Sequence, residues 1–319
     1  MTPYTLYLVI PCYNEAAVLP VTAPLFIEKI AALRTAGRIS DASRVLFVDD
    51  GSRDGTWGII TALAAEHPAE GVRLTRNRGH QNALLAGLMA AKERADVTVS
   101  LDCDGQDDID ALDRMLDEYE AGCDIVYGVR DDRSADTALK RGSARGFYRL
   151  SRLMGVETVY DHADYRLMSR RAVEGLAQFK EVNLYLRGLV PLVGYRTATV
   201  SYHRAPRAAG KSRYPLGRML HLAADGITSL STRPLKMITA LGLGVFFISL
   251  VMIVWCLIRH FTDNTVSGWA SQMCVTLFLG GVQLLCVGVL GEYIGKIYAE
   301  VKGRPRYLVQ DTTFEEGEQ

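Results

Sequence analysis

Short apolar runs and longer amphipathic stretches take turns along the first 200 residues. Leu6 to Ile10 is a strand-like run ended by Pro11, and Ala23 to Leu33 carries its apolar residues at helical spacing. Val45 to Val48 reads as a second strand, stopped by the turn-forming Asp49-Asp50-Gly51-Ser52. Trp57 to Ala65 reads as a helix and Val72 to Thr75 as a third strand. A loop at Gly79 leads to a helix from about Gln81 to Ala91, and Val97 to Leu101 is a fourth strand closed by Asp102. This β-α-β-α order predicts an α/β domain with a Rossmann-like, mostly parallel sheet covered by helices on both faces. Ligands of such sheets bind beyond the carboxyl ends of the strands. The polar clusters Tyr13-Asn14-Glu15, Asp49-Asp50, Asn77 to Asn82 and Asp102 to Asp107 all fall at those ends and should converge on one site.

The pattern changes after residue 230. Met237 to Ile258 is a run of 22 residues without a charge, bounded by Lys236 and Arg259. At about 1.5 Å rise per residue it spans a hydrocarbon core of ~30 Å. A second uncharged run covers Asn264 to Gly291, with its apolar part beginning near Met273. The competing reading is a pair of buried core helices, which rarely run so long without a charge. Seven Lys/Arg and one acid, Asp225, lie between Arg204 and Lys236, and Lys296, Lys302, Arg304 and Arg306 follow the second run. The positive-inside rule then places both flanks in the cytoplasm. The expected organisation is a cytoplasmic domain at 1–210, an amphipathic juxtamembrane segment at 211–234, a transmembrane hairpin at 235–294 (helices near 237–258 and 271–291) and a cytoplasmic tail at 295–319. Leu216, Met219, Leu220, Ala223, Ile227 and Leu230 fall at helical spacing, for a helix lying on the bilayer or packed on the soluble domain.

Composition removes several classes. Lys+Arg and Asp+Glu both number 36, so the chain lacks the basic excess of a nucleic-acid binder. With 49% hydrophobic and 23% charged residues it is not a mostly disordered chain. The six cysteines form no C-x-x-C pair, which suits free thiols in a reducing compartment. The first apolar run is too short for a signal peptide. No G-x-G-x-x-G follows the first strand and no P-loop occurs.

The candidate chemistry sits at strand ends. Alternation along an extended chain would point Asp102 and Asp104 the same way. With Gln106 they are hard oxygen ligands suited to Mg²⁺ or Mn²⁺ carrying a diphosphate, although a solvated acidic loop has the same composition. In Asp161-His162-Ala163-Asp164-Tyr165-Arg166, Asp164 could be a general base or orient an acceptor; the stretch by itself favours a surface Asp–Arg pair, with His162 structural or exposed. Arg204, Arg207, Lys211 and Arg213 suit anionic headgroups or, more sharply, the phosphate of a lipid substrate.

Taken in order, Val9-Ile10-Pro11-Cys12-Tyr13-Asn14-Glu15, Val48-Asp49-Asp50-Gly51-Ser52-Arg53-Asp54-Gly55-Thr56, Asn77-Arg78-Gly79-His80-Gln81-Asn82-Ala83 and the D-x-D at Asp102 resemble glycosyltransferase family 2. His162 to Met168, Tyr185-Leu186-Arg187-Gly188-Leu189, Gly210 to Pro215, Asp225 to Ser229 and Gly291 to Lys296 are similar to its polyprenyl-phosphate glycosyltransferases. The resemblance covers about residues 6 to 308. It implies a GT-A fold and inverting transfer of a sugar from a nucleotide diphosphate donor, UDP-glucose by default, to polyprenyl (undecaprenyl) phosphate at the bacterial cytoplasmic membrane. By motif matching, Pro11, Tyr13, Glu15, Asp49 and Asp102 hold the nucleotide sugar. Asp102, Asp104 and Gln106 surround Mg²⁺ or Mn²⁺, and Asp104 and Asp164 are the catalytic carboxylates. Arg207, Lys211 and Arg213 face the acceptor phosphate, and a homo-oligomer, such as a tetramer, is expected. The family writes D-A-D-x-Q-D-P-P; here Cys103 replaces the alanine and Asp107-Asp108-Ile109 alters the end, which leaves the loop's shape open. The competing functions are a processive polysaccharide synthase and a non-catalytic sugar-nucleotide scaffold. Against the first, Trp57, Trp255 and Trp269 are never preceded by the Arg of a Q-x-x-R-W motif.

Overall fold

Eight strands make one sheet in the order β7-β5-β6-β4-β1-β2-β3-β8 in the structure, a computed structural model that describes residues 3–130, 162–203, 228, 231–261 and 268–314. The parallel centre is β1 (Leu6–Cys12), β2 (Arg44–Asp49), β3 (Ala69–Leu74) and β4 (Val97–Ser100). The chain winds outward through β1, β2 and β3, then returns to lay β4 on the other side of β1. That reversal is a topological switch point, where the loops after β1 and β4 diverge and leave a crevice. Helices α1 (Leu19–Thr35), α2 (Thr56–Glu66) and α3 (His80–Ala91) make the connections. Further out lie α4 (Ala111–Glu120), β5 (Ile125–Arg130), β6 (His162–Ser169), α5 (Arg170–Ala177), α6 (Leu186–Leu192) and β7 (Thr197–Tyr202).

Strand β1 is buried along its whole length, as a central parallel strand covered on both faces must be. Its ladder extends through Pro11 to Cys12, further than the apolar run alone marks. Leu101 donates its N–H to Val9 O, so odd residues of β1 face β4. Because β4 has ended by Pro11, the missing proline N–H costs no ladder bond. Helix α1 buries Leu19, Ala23, Phe26, Ile30 and Leu33, the heptad-like stripe of a core-facing helix. The acidic residues of α4 lie on its outer side, where Asp113, Asp117 and Glu120 pair with Lys29 and Arg38.

Two long helices, α7 (Arg233–Phe261) and α8 (Trp269–Lys302), form a unit separate from the sheet domain. Both are long and apolar enough to cross a membrane, over Arg233–Met252 and Phe278–Lys302, and Phe247, Ile248, Val251 and Leu284 are exposed along them. Helix α8 runs past the uncharged stretch, through Glu292, Lys296 and Glu300, until Gly303 at φ +55° caps it with an N–H to Glu300 O. The chain after it is more than a tail. Residues 304–314 belong to the sheet unit, where β8 (Val309–Thr312) adds an antiparallel edge strand to β3. Most of the 211–234 segment, including Lys211 and Arg213, falls outside the described residues, as do Arg207, the sequence 131–161 and the connection 262–267.

Gly87 shows how tightly α3 is seated. A Cβ there would lie 2.4 Å from Val9 Cγ1 and 2.7 Å from Val48 Cγ2, side chains of the two central strands. An exposed helical Gly→Ala gains about 1 kcal/mol. Here the overlap reverses the sign, and Gly87→Ala should lower stability by about 1–3 kcal/mol in a thermal or denaturant melt of the purified chain.

Candidate active site

The loops at the switch point lock one another. Asp49, at the end of β2, accepts the Ser52 N–H on Oδ1 at 2.9 Å. Ser52 Oγ then accepts the Asn14 N–H at 2.9 Å, and Asn14 Oδ1 accepts the Arg53 N–H at 2.9 Å. Glu15 N–H donates to Thr56 Oγ1 and Ala16 N–H to Asp54 Oδ2. Asn14 sits at φ +54°, the one non-glycine with positive φ among the described residues, and such strain is sustained where the surroundings over-determine it. The loop holds Tyr13 outward, 42% exposed, and Glu15 partly exposed, while Pro11 and Asp49 are buried beneath them. Gly51 is required by its contact: at φ +65°, a Cβ would lie 2.5 Å from the Arg76 carbonyl carbon.

Asp50 reaches the next loop. Its two oxygens accept the Arg78 N–H at 2.7 Å and the Gly79 N–H at 2.9 Å, which fixes the start of α3 and its first residue, His80. Burial raises the Asp50 carboxyl's pKa more than these two amides lower it.

Strand register supplies the other half of the site. Antiparallel β6 pairs with β4 so that Ser100 faces Arg166. Continuing that register sets Asp102 beside Asp164, 62 residues later in the sequence. Ser100 Oγ donates to the Asp164 carbonyl at 2.5 Å and seals the pair of strands. His80 Nε2 stands between the two carboxylates, 3.7 Å from Asp102 Oδ1 and 3.3 Å from Asp164 Oδ2. Arg187, in the first turn of α6, grips Asp164 with Nε at 3.1 Å and a terminal nitrogen at 3.0 Å. Gln81 Oε1 accepts the Leu186 N–H and ties α6 to α3.

The surface-pair reading of Asp164 and Arg166 is overturned. Asp164 is 9% exposed and Arg166 only 1%, because β6 is an interior strand. Among the described residues the Arg166 guanidinium has no hydrogen-bond partner on any nitrogen, and Asp164 Oδ1 lies 3.8 Å away. Burying an ion costs several kcal/mol unless a counter-charge faces it, and here Asp164 does. Burial alone would raise the Asp164 pKa, but His80 and Arg187 hold the carboxyl well below the usual range. Asp102 has the opposite balance. Burial first, then Asp107, Asp164 and Asp104, outweigh His80 and push it up to about 6.

The D-x-D loop is a turn, not the extended chain that alternation assumed. Strand β4 stops at Ser100, and Gly105 takes φ +67°. Gln106 N–H donates to Asp104 Oδ1 at 3.2 Å. The altered end is held from below: Tyr202 OH donates to Asp107 Oδ1 at 2.6 Å, Arg130 Nε donates to the Tyr202 oxygen at 3.1 Å, and Tyr165 OH donates to the Asp108 carbonyl. Sequence reasoning assigned no role to His80, Asp50, Arg130, Arg187 or Tyr202, and took Arg166 only as half of a surface pair. His80 and Asp50 lay in clusters already marked at strand ends. Arg130 and Tyr202 carried no local signal, because strands β5 and β7 bring them in from afar. No cluster of three or more His, Cys, Asp or Glu side chains placed to hold a metal occurs among the described residues.

Residues 7–176 match the family described as Glycosyl transferase family 2, and residues 233–297 match the GtrB C-terminal hairpin. The chain is 45% identical over 312 residues to an uncharacterized glycosyltransferase, YkoT, of Bacillus subtilis (strain 168), covering 98% of this chain and 93% of the relative. It is 40% identical to the SfII prophage-derived bactoprenol glucosyl transferase of Shigella flexneri, over 95% of this chain and 96% of the relative. It is 37% identical to a prophage bactoprenol glucosyl transferase homolog of Escherichia coli (strain K12), over 95% and 97%.

The Asp50 bridge has a measurable weight. Asp50→Ala leaves the Arg78 and Gly79 amides without their acceptor and should cost about 1–3 kcal/mol in a denaturant melt, while Gly37→Ala, in a turn remote from these loops, serves to calibrate an ordinary positive-φ penalty.

Proposed function

The chain belongs to glycosyltransferase family 2, and from that premise we propose that it moves glucose from UDP-glucose to polyprenyl phosphate, with inversion, at the cytoplasmic face of the bacterial membrane. The observation that carries this reading is one chain joining a sheet-edge site of opposed carboxylates and cations to two helices long enough to cross a bilayer. The GT-A sheet supplies the donor edge. On this reading exposed Tyr13 and Glu15 contact the nucleotide, with Pro11 and Asp49 shaping the floor beneath them.

Asp164 in this proposal is an organiser of cations rather than a proton acceptor. A carboxylate held so low is a poor base near neutral pH. The acceptor phosphate is already anionic and needs little deprotonation. Asp164 instead orients Arg187 and His80, whose positive edges offset repulsion between two phosphate-bearing substrates. Arg207, Lys211 and Arg213 would extend that field toward the lipid phosphate. The hairpin keeps the domain on the lipid surface and so raises the effective acceptor concentration.

A divalent cation fits the chemistry of the site. Mutual repulsion among Asp102, Asp104, Asp107 and Asp164 adds to burial in raising Asp102, and Asp107 Oδ2 is buried without a hydrogen-bond donor among the described residues. Asp102, Asp104 and Gln106 would hold Mg²⁺ or Mn²⁺, leaving further positions for diphosphate oxygens. When bound, the ion supplies Lewis-acid stabilisation of the departing diphosphate.

The decisive assay is transfer of radiolabel from UDP- and GDP-sugars to undecaprenyl phosphate in detergent, with Mg²⁺, Mn²⁺ or EDTA. A chloroform-soluble product from UDP-glucose, lost with EDTA, is expected; nucleotide binding without any lipid product would refute the reading. Asp104→Ala should abolish transfer with a melting temperature within about 2–4 °C of the parent. The raised Asp102 carboxyl adds a pH dependence. Its folded pKa lies above the ordinary value, so its contribution to stability falls as pH rises from the ordinary carboxylate range through about 6. Apparent Mg²⁺ affinity should weaken by roughly tenfold per pH unit below that point, and Mg²⁺ should raise the melting temperature more at about pH 7 than at about pH 5.

A further inference from the structure

We propose that Asp311, in the strand that follows the second long helix, is a positioning residue for the nucleotide-binding loops, acting through Arg73 and Asp49. The inference rests on the reading of those loops as the donor edge.

Its basis is a row of charge across three strands. Asp49 on β2 is in register with Arg73 on β3, and Arg73 is in register with Asp311 on β8. Directly opposed residues on adjacent strands present their side chains to the same face. The row therefore reads acid, base, acid, and the contacts agree. Arg73 Nε lies 3.4 Å from Asp49 Oδ2, and another Arg73 nitrogen lies 3.8 Å from Asp311 Oδ2. The Trp57 ring, 5.8 Å from the guanidinium carbon, flanks Arg73 on the helix side.

Asp49 is fully buried, and its Oδ2 has no hydrogen-bond donor among the described residues. Arg73 is the cation that faces it. The other oxygen, Oδ1, holds the Ser52 N–H, and Ser52 Oγ holds the strained Asn14 between Tyr13 and Glu15. A mechanical path thus runs from Asp311 to the nucleotide loop. An arginine has several rotamers, and without Asp311 the side chain is free to swing toward solvent and leave a buried carboxylate uncompensated.

Strand β8 has an independent anchor, which lets its docking be separated from its charge. Thr313 accepts the Gly71 N–H on Oγ1 at 2.8 Å and donates its own N–H to Gly71 O at 3.0 Å. Arg94 stacks over Phe314 with its guanidinium carbon 4.3 Å from the ring centre. These contacts hold the strand whether or not residue 311 is charged.

The test uses the full chain in detergent and measures UDP and GDP binding by titration calorimetry, together with donor KM and kcat. Asp311→Ala should weaken UDP binding by roughly threefold to tenfold, the weight of a part-exposed ion pair, and raise donor KM equally while kcat stays within about twofold. The deficit should shrink at about 1 M salt, where screening removes the pair from the parent as well. Arg73→Ala should weaken binding at least as much, and adding Asp311→Ala to it should change nothing further. Thr313→Val should lower the melting temperature without changing the UDP affinity. Equal UDP affinity in parent and Asp311→Ala overturns the proposal, as does an equal loss in Thr313→Val, which would make strand docking the cause. Should Asp311→Ala not fold, Asp311→Asn keeps the size and removes the charge, and the same comparisons apply. A parent chain that binds neither UDP nor GDP overturns the donor-edge reading itself, and this inference with it.

Discussion

Burying charge at the carboxyl edge of a parallel sheet is the constraint on which this structure turns. Asp49, Asp50, Asp164 and Arg166 are all nearly inaccessible to solvent. Each is tolerable only because something faces it: Arg73 and the Ser52 amide for Asp49, two backbone amides for Asp50, Arg187 and His80 for Asp164. A lone buried charge costs more than most single contacts return, so these partners hold the loops in one arrangement. The loops are irregular in secondary structure and yet tightly specified.

That specification explains why the two carboxylates set side by side by the β4–β6 register differ. Asp164 has His80, Arg187 and Arg166 within reach and stays ionised, whereas Asp102 faces three acids across from a single imidazole and is pushed up. Pairs of titratable groups driven apart in this way mark functional sites more reliably than acidic composition does. The altered end of the D-x-D loop illustrates the same economy. Without the family's proline pair, Asp107 and the Asp108 carbonyl are held by Tyr202 and Tyr165 from strands β7 and β6.

The edge strand β8 extends the logic across the sheet. An exposed β3 would present open ladder groups and leave Arg73 with one acid. Covering it with residues 309–312 closes the edge and completes a row of alternating charge that reaches back to β2. The C-terminal residues read from composition as a short tail, because four-residue strands carry too little pattern to announce themselves.

Much was determined by the sequence itself. Short apolar runs marked β1 to β4 and helical spacing marked α1 to α3, since central parallel strands are buried on both faces and the helices along one. The same rule marked the long uncharged helices, and strand-end polarity marked where Tyr13, Asp50, His80 and Asp102 would gather. Helix α8 ran on to Lys302 because charged residues end an apolar run without ending a helix. The tertiary structure alone decided the partners. Asp164 reaches Asp102 through the register of an antiparallel strand, and Arg187 arrives from a separate short helix. Both separations exceed any local period, so neither leaves a trace in spacing. The charge state of Asp164 and Asp102 follows from those partners, which is why identical residue types were indistinguishable in the sequence and opposite in the fold.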